Sequence, residues 1–289
     1  EAPDRYLIVT AAETHTRDLA WLQRQIPSDA RAMVVDVTSG MAVLSVMGPR
    51  SRELLSRLTD ADLSNAAFPF GSSQVIDLAY ARVRASRITY VGELGWELYI
   101  PTEFAPGVFD ALMQEGEPLG LVLAGYHALN ALRMEKSYRH WGHDISDEDT
   151  PLQAGLGFAV AWDKAGGFIG REALVEQKRQ GLTRRLVQFA LQDPVPLLYH
   201  NEPILRDGVI VGRITSGMFG HSLGRSLGMG YVTVAEGVTG VDAVLRGRYE
   251  IEVAGERFVA DASLQPWYDP RSLRVKDVEP PAAQAATAT

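Results

Sequence analysis

The chain of 289 residues contains no cysteine. That one absence removes disulfides, thiolate metal sites and thiol nucleophiles together. No uninterrupted apolar run approaches membrane-spanning length, and no charged-then-apolar leader pattern opens the chain. Basic residues are outnumbered, 28 Lys and Arg against 36 Asp and Glu, for a net charge of −8. A broad nucleic-acid surface needs the opposite balance, and Arg184-Arg185 is too short to make a basic patch. The histidines are scattered. The nearest pair, His140 and His143, flanks Trp141-Gly142 without acidic ligands at metal-site spacing, so no metal site is expected. A Gly-x-Gly-x-x-Gly turn after a strand, a P-loop and a Gly-x-Ser-x-Gly elbow are missing too. Gly220-His221-Ser222-Leu223-Gly224 sets a serine among glycines but lacks a strand–elbow–helix frame.

What is present is ordinary globular material, 46% hydrophobic and 22% charged, enough for two or three domains. Periodicity predicts a strand over residues 5–10, then a helix over 14–25 with Leu19, Leu22 and Ile26 on one stripe. Strands over 33–37 and 41–46, joined at Thr38-Ser39-Gly40, complete half of an α+β sandwich. Gly48-Pro49 precedes a short helix over 51–58. Phe68 and Phe70 read as core plugs, and residues 73–76 and 81–86 alternate as strands. Helices follow over 104–115 and 125–138, the second with Ala128, Leu129 and Leu132 on one face and Glu135 and Arg139 as an i, i+4 pair on the other.

After Gly166-Gly167 a helix is expected over 169–177. From Thr183 to Leu273 only short strands are predicted, over 184–191, 204–206, 209–216, 228–232, 243–245, 249–253 and 256–262. Many short strands at close spacing mean a β-barrel or sandwich. From Asp277 onward, Pro280-Pro281 and an Ala/Thr-rich run predict a disordered tail. The chain starts at Glu1 without an initiator methionine and enters at once on strand-like Tyr6-Leu7-Ile8-Val9, so it is expected to be part of something longer.

Residues 87–101 are where turn chemistry, strand periodicity and polar groups converge. Residues 87–91 and 96–100 read as a tight hairpin about Gly92 and Gly95, closed by Pro101. That register sets Tyr90 opposite Glu97, with Tyr99 on the same side and Trp96 and Leu98 pointing the other way. A carboxylate between aromatic rings suits a flat heterocycle with two parallel N–H donors, an edge that pterins and guanine-like rings share. The alternative is that Glu97 is a solvated strand residue and Tyr90 a routine cross-strand partner.

Several stretches together resemble one family. Tyr90-Val91-Gly92-Glu93-Leu94-Gly95-Trp96-Glu97, Leu132-Arg133-Met134-Glu135-Lys136, Thr150-Pro151-Leu152-Gln153-Ala154-Gly155-Leu156-Gly157, Phe168-Ile169-Gly170-Arg171-Glu172-Ala173-Leu174, Thr215-Ser216-Gly217 and Gly228-Met229-Gly230-Tyr231-Val232 are similar, in this order, to the glycine-cleavage T-protein (aminomethyltransferase) family. The run from Leu132 through Tyr138-Arg139-His140-Trp141-Gly142 and the ending Trp267-Tyr268-Asp269-Pro270 resemble the subgroup fused to flavin-dependent dimethylglycine and sarcosine dehydrogenases and oxidases.

The resemblance implies an α+β clover-leaf around tetrahydrofolate, two α/β lobes, here incomplete, followed by a C-terminal antiparallel β-barrel. It implies a folate-binding region over residues 1–181, a barrel over 182–275 and a tail over 276–289. Glu97 then matches the carboxylate that holds the pterin, and Tyr90 the tyrosine beside it. Tyr138, Trp141 and Tyr268 are further candidates for the folate channel, whereas Arg133 is expected in a structural ion pair or cap contact and not on the ligand. The family's catalytic aspartate lies upstream of the strand matching residues 6–9, so no residue here is assigned to it.

The implied activity is one-carbon transfer from an N-methylglycine-derived iminium, forming 5,10-methylene-tetrahydrofolate. FAD would sit on a separate domain or chain, and the location would be the cytoplasm in a bacterium or the mitochondrial matrix in a eukaryote. A stand-alone glycine-cleavage aminomethyltransferase and a non-catalytic folate-binding module are the alternatives. Leu129, where glycine-cleavage enzymes carry an arginine, points away from the first. The related iron–sulfur assembly factor carries a Lys-Gly-Cys-Tyr type motif, which a chain without cysteine lacks.

Overall fold

The computed structural model describes residues 2–234 and 241–278. Its first half runs α1 (His15–Arg24), β1 (Met41–Met47), α2 (Ser51–Ser56), β2 (Ser73–Leu78), β3 (Ala81–Ser86), β4 (Gly95–Pro101), α3 (Ala105–Gly116), α4 (Tyr126–Glu135) and α5 (Arg171–Gln180). The second half runs β5 (Arg184–Leu191), β6 (Pro203–Arg206), β7 (Val209–Gly220), β8 (Arg225–Thr233), β9 (Tyr249–Val253), β10 (Glu256–Ser263) and the short α6 (Leu273–Lys276).

The first four strands make one antiparallel sheet in the order β1-β4-β3-β2. Alternation along β4 turns Trp96, Leu98 and Ile100 inward, all three fully buried. Leu54 and Leu55 of α2, Val108 and Leu112 of α3, and Phe68 close over them. Phe68 meets Trp96 edge-on at 6.1 Å, and the Arg52 and Arg87 guanidinium groups lie 5.8 and 5.6 Å from its ring. An indole is thus packed with both the aromatic edge and the cations its π face favours. Phe70 is exposed, so Phe68 alone of that pair plugs the core.

The last six strands close into a barrel in the order β10-β5-β8-β7-β6-β9. Closure leaves no free sheet edge, and Val187, Phe189, Ile204, Ile214, Val232 and Ile251 fill the interior. Met134 of α4 packs against Leu186, Ala190, Leu227 and Met229 and joins the two halves. The whole is α+β with a C-terminal antiparallel barrel, as expected.

Several expectations are corrected. Residues 5–10 and 33–37 form no strand, and Met33 and Val35 are 83% and 63% exposed. Their apolar alternation finds no neighbouring strand to pair with, because β1 pairs only with β4 among the described residues. Residues 243–245 lie in a 3-10 turn (Val241–Leu245) instead of a strand. The pairing of Glu135 with Arg139 is absent. Ser137 takes a left-handed φ of 58° that ends the helix, and Glu135 instead accepts the Ser222 N–H at 2.6 Å.

Lys276 to Val278, assigned to a tail, are held in place: Arg87 donates to the Lys276 carbonyl at 2.9 Å, Asn65 to that of Asp277 at 2.9 Å, and Arg52 pairs with the Asp277 carboxylate. The rest of that expected tail, from residue 279, lies outside the described residues.

Candidate functional site

The tight hairpin over residues 87–101 is also corrected, and the correction redraws the site. β4 pairs with β3 and β1, so Glu97 stands between Ser86 and Ser45, not opposite Tyr90. Residues 87–94 are an irregular connection that leaves the sheet. Gly92 takes a φ of 79° in that turn. Gly95 is needed for a different reason: a Cβ there would lie 2.6 Å from the Met47 side chain and 2.9 Å from the Val46 carbonyl.

The alternation itself holds. Glu97 and Tyr99 share the face opposite Trp96 and Leu98, and the Tyr99 hydroxyl donates to Glu97 Oε2 at 2.8 Å. Burial first, and that hydrogen bond second, hold the Tyr99 phenol above its ordinary pKa, so it stays a donor. Glu97 Oε1 takes no hydrogen bond from any described residue. A carboxylate has about four lone-pair positions, so one edge of Glu97 is tied down and the other is open.

The connection carries Tyr90 away from Glu97 and lays it on Tyr138, with ring centres 6.0 Å apart and planes at 12°. The Tyr90 hydroxyl donates to the Arg139 carbonyl at 2.8 Å. Burial is the main reason that both phenols titrate high, Tyr138 being pushed up to about 12. Tyr138 itself sits beyond the end of α4, placed by its N–H to the Arg133 carbonyl at 3.0 Å.

Trp141 lies farther out, 37% exposed, with the Arg17 guanidinium 5.1 Å from its ring. Tyr268 donates to the Glu93 carboxylate, and Arg274 lies 5.4 Å from its ring. Four of the five candidate residues thus fall into three places: Glu97 with Tyr99, Tyr90 on Tyr138, and Tyr268 on Glu93. Trp141 joins none of them.

Arg133 forms the expected structural ion pair. Its Nη1 meets Asp144 Oδ2 at 2.6 Å, with side chains 2% and 0% exposed. The remaining donors go to Asn130 Oδ1, the Tyr138 carbonyl and Ser216 Oγ, while Asp144 also accepts the His140 N–H and the Thr215 hydroxyl. The register shift in β7 between Ile214 and Ser216 turns Thr215 and Ser216 toward this pair.

Three partners escaped the sequence reading: Asp144, Glu93 and Asp269. Asp269 pairs with the buried Lys136 at 3.1 Å. Glu93 directly follows the turn glycine Gly92, the one local signal available. Asp144 and Asp269 gave none, because each finds its partner across a loop.

Two smaller effects follow. Tyr268→Phe deletes the hydrogen bond to Glu93 and is expected to lower stability by about 1 kcal/mol in chemical denaturation, without changing the fold by circular dichroism. The second concerns His140, whose ring lies 4.6 Å from that of His143. Burial, then Arg133 and His143, hold its pKa below the ordinary 6.5. Below that value the unfolded chain binds a proton that folded His140 resists, so stability falls as pH drops through 6.5 and then levels off. His140→Gln should reduce the loss of stability between about pH 7.5 and about pH 5.5, read as urea midpoints. An unchanged slope contradicts the assignment.

Family models place the chain. One described as "GCVT N-terminal domain" matches residues 1–164, and "Glycine cleavage T-protein C-terminal barrel domain" matches residues 184–269. The chain belongs to the glycine cleavage T-protein family, a tetrahydrofolate-binding family of aminomethyltransferase type.

Among curated relatives, it is 42% identical over 273 residues to 4-methylaminobutanoate oxidase (formaldehyde-forming) of Paenarthrobacter nicotinovorans, an alignment covering 94% of this chain and 32% of that protein. It is 40% identical over 250 residues to human mitochondrial sarcosine dehydrogenase, covering 86% of this chain and 27% of that one. The chain thus spans about a third or less of the length of these relatives. The solved structure of glycine cleavage system aminomethyltransferase T from Bartonella henselae matches with a TM-score of 0.74 at 24% identity. That match covers 90% of this chain and 67% of the other.

Proposed function

We propose that this chain binds tetrahydrofolate through Glu97 and serves one-carbon transfer in a demethylating amine dehydrogenase or oxidase. The carrying observation is the Glu97 carboxylate, oriented by Tyr99 at 2.8 Å and open at Oε1. The residues present suit the ligand in kind. The open oxygen can accept one N–H of a pterin edge while Oε2, with a lone pair to spare, accepts the second. The parallel faces of Tyr90 and Tyr138 supply a flat aromatic wall.

Tetrahydrofolate, when bound, supplies the ring nitrogens that take up a one-carbon unit. Glu97 would fix the pterin edge, and Tyr99 would stop the carboxylate from rotating away. The aromatic wall would keep out water that otherwise releases the carbon as formaldehyde. The similarity to sarcosine dehydrogenase and to a methylamino-acid oxidase supports an N-methylated amino acid as the source of that carbon, with 5,10-methylene-tetrahydrofolate as product. It equally supports FAD on a separate domain or chain as the partner that oxidises the amine. A bacterial cytoplasm or a mitochondrial matrix is the location proposed.

Calorimetric titration of the chain with tetrahydrofolate tests this reading. One saturable site is expected. A folded chain that gives no heat of binding at millimolar ligand would overturn it.

A further inference from the structure

Among the described residues, Arg139 and Arg185 are two cations with no carboxylate partner. Arg139 donates through Nε to the Ala154 carbonyl at 3.0 Å and through Nη1 to that of Ser137 at 2.6 Å. Arg185 donates through Nη1 to the Leu152 carbonyl, and its buried Nε has no partner. The nearby carboxylates are already engaged. Asp144 holds Arg133, the His140 N–H and Thr215, while Asp149 holds Arg184 at 2.7 Å together with Ser146. Neither Arg139 nor Arg185 has an ion-pair partner among the described residues.

The two guanidinium groups nevertheless converge. A Cβ on Gly155 would lie 2.7 Å from Arg139 Nη2 and 3.0 Å from Arg185 Nη2, so both guanidinium groups pack against the bare face of Gly155 and close to each other. Gly155 also has a φ of 75°, which fixes its own backbone but does not draw two like charges together. Burial foremost, and Arg185 next, push the Arg139 guanidinium below its ordinary pKa, the direction that crowding by an unneutralised neighbour produces. In a chain of net charge −8, carboxylates are the commoner ion, yet the two nearby, Asp144 and Asp149, are committed to other partners. Paired guanidinium forks match the two oxygens of a carboxylate.

The backbone of Arg139 adjoins the aromatic wall, since Arg139 follows Tyr138 directly and its carbonyl accepts the Tyr90 hydroxyl at 2.8 Å. We propose that Arg139 and Arg185 form a carboxylate-binding site at Gly155, receiving the acidic end of a ligand whose ring lies on the Tyr90–Tyr138 wall. Its placement beside that wall rests on the folate reading. The carboxylate has two possible sources, the glutamyl tail of tetrahydrofolate and the carboxylate of the N-methylated amino acid.

The test titrates the intact chain, at low ionic strength, with 6-methyltetrahydropterin, free tri-γ-glutamate and sarcosine, in the parent and in Arg185→Gln. Glutamine keeps a donor for the Leu152 carbonyl but no charge. The parent should bind tri-γ-glutamate, and the variant should bind it about tenfold more weakly, while the pterin, which has no carboxylate, binds both alike. The same loss for sarcosine with none for tri-γ-glutamate assigns the site to the amino acid instead.

A parent that binds neither acid, or a variant that binds both as the parent does, overturns the proposal. If the pterin fails to bind while an acid binds and is lost in the variant, the site stands and the folate reading falls. Should Arg185→Gln lose its fold by circular dichroism, Arg139→Gln replaces it. Binding of tri-γ-glutamate to the parent must in any case weaken as salt rises, and insensitivity to salt also overturns the proposal.

Discussion

Replacing Asp144 with alanine is expected to destabilise the protein by about 3–5 kcal/mol, the range for stripping one partner from a buried ion pair. Arg133 would remain charged where only 2% of its side chain meets solvent. Its bonds to the Tyr138 carbonyl and Ser216 Oγ cannot neutralise it. The His140 N–H and the Thr215 hydroxyl would lose their acceptor as well. Asp144→Asn keeps an acceptor and the side-chain volume, so it should cost less. Because Arg133 also anchors the Tyr138 carbonyl, the alanine variant should disturb Tyr138 and Tyr90, visible as a change in tyrosine near-ultraviolet dichroism. A loss below about 1 kcal/mol in urea unfolding would mean that the pair is hydrated and does not hold α4 to β7.

Glu97→Ala should weaken tetrahydrofolate binding by about 1.5–3 kcal/mol, roughly tenfold to more than a hundredfold, the range for hydrogen bonds to a charged group. Stability should fall by only about 1 kcal/mol, the loss of the Tyr99 hydroxyl's acceptor, because Glu97 is half-buried and contributes nothing to the Trp96 side of the sheet. The variant therefore separates binding from folding in a way that Asp144→Ala does not. Folate affinity unchanged within error would remove Glu97 from the site, and with it the observation that carries the proposed function.

Alternation along β4 was legible from the sequence: residues 96 and 98 inward, 97 and 99 outward. What alternation cannot supply is the partner strand, because a period of two sorts faces and says nothing of neighbours. Glu97 therefore lies beside Ser86 and Ser45, while Tyr90, expected opposite it, is carried onto Tyr138. The same gap explains residues 5–10 and 33–37, whose strand-like composition forms no strand.

The barrel was easier to read. Turns such as Asp207-Gly208 and Ala254-Gly255 mark where strands end, and the predicted 184–191 and 249–253 coincide with β5 and β9. The ion pairs that lock the site, Arg133 with Asp144 and Lys136 with Asp269, join residues that no local spacing relates. Arg133 could be read as structural from its place in α4, but its partner could not.

The central claim is that the Glu97 carboxylate recognises the donor edge of a pterin. A double-mutant cycle measures this directly, with tetrahydrofolate and its 2-desamino analogue each titrated into the parent and into Glu97→Ala. Removing the 2-amino group removes one of the two N–H donors that Glu97 would accept. The account predicts that Glu97→Ala weakens tetrahydrofolate at least tenfold and the analogue much less, a coupling of about 1 kcal/mol or more. Equal losses for both ligands, or no loss for either, would contradict it.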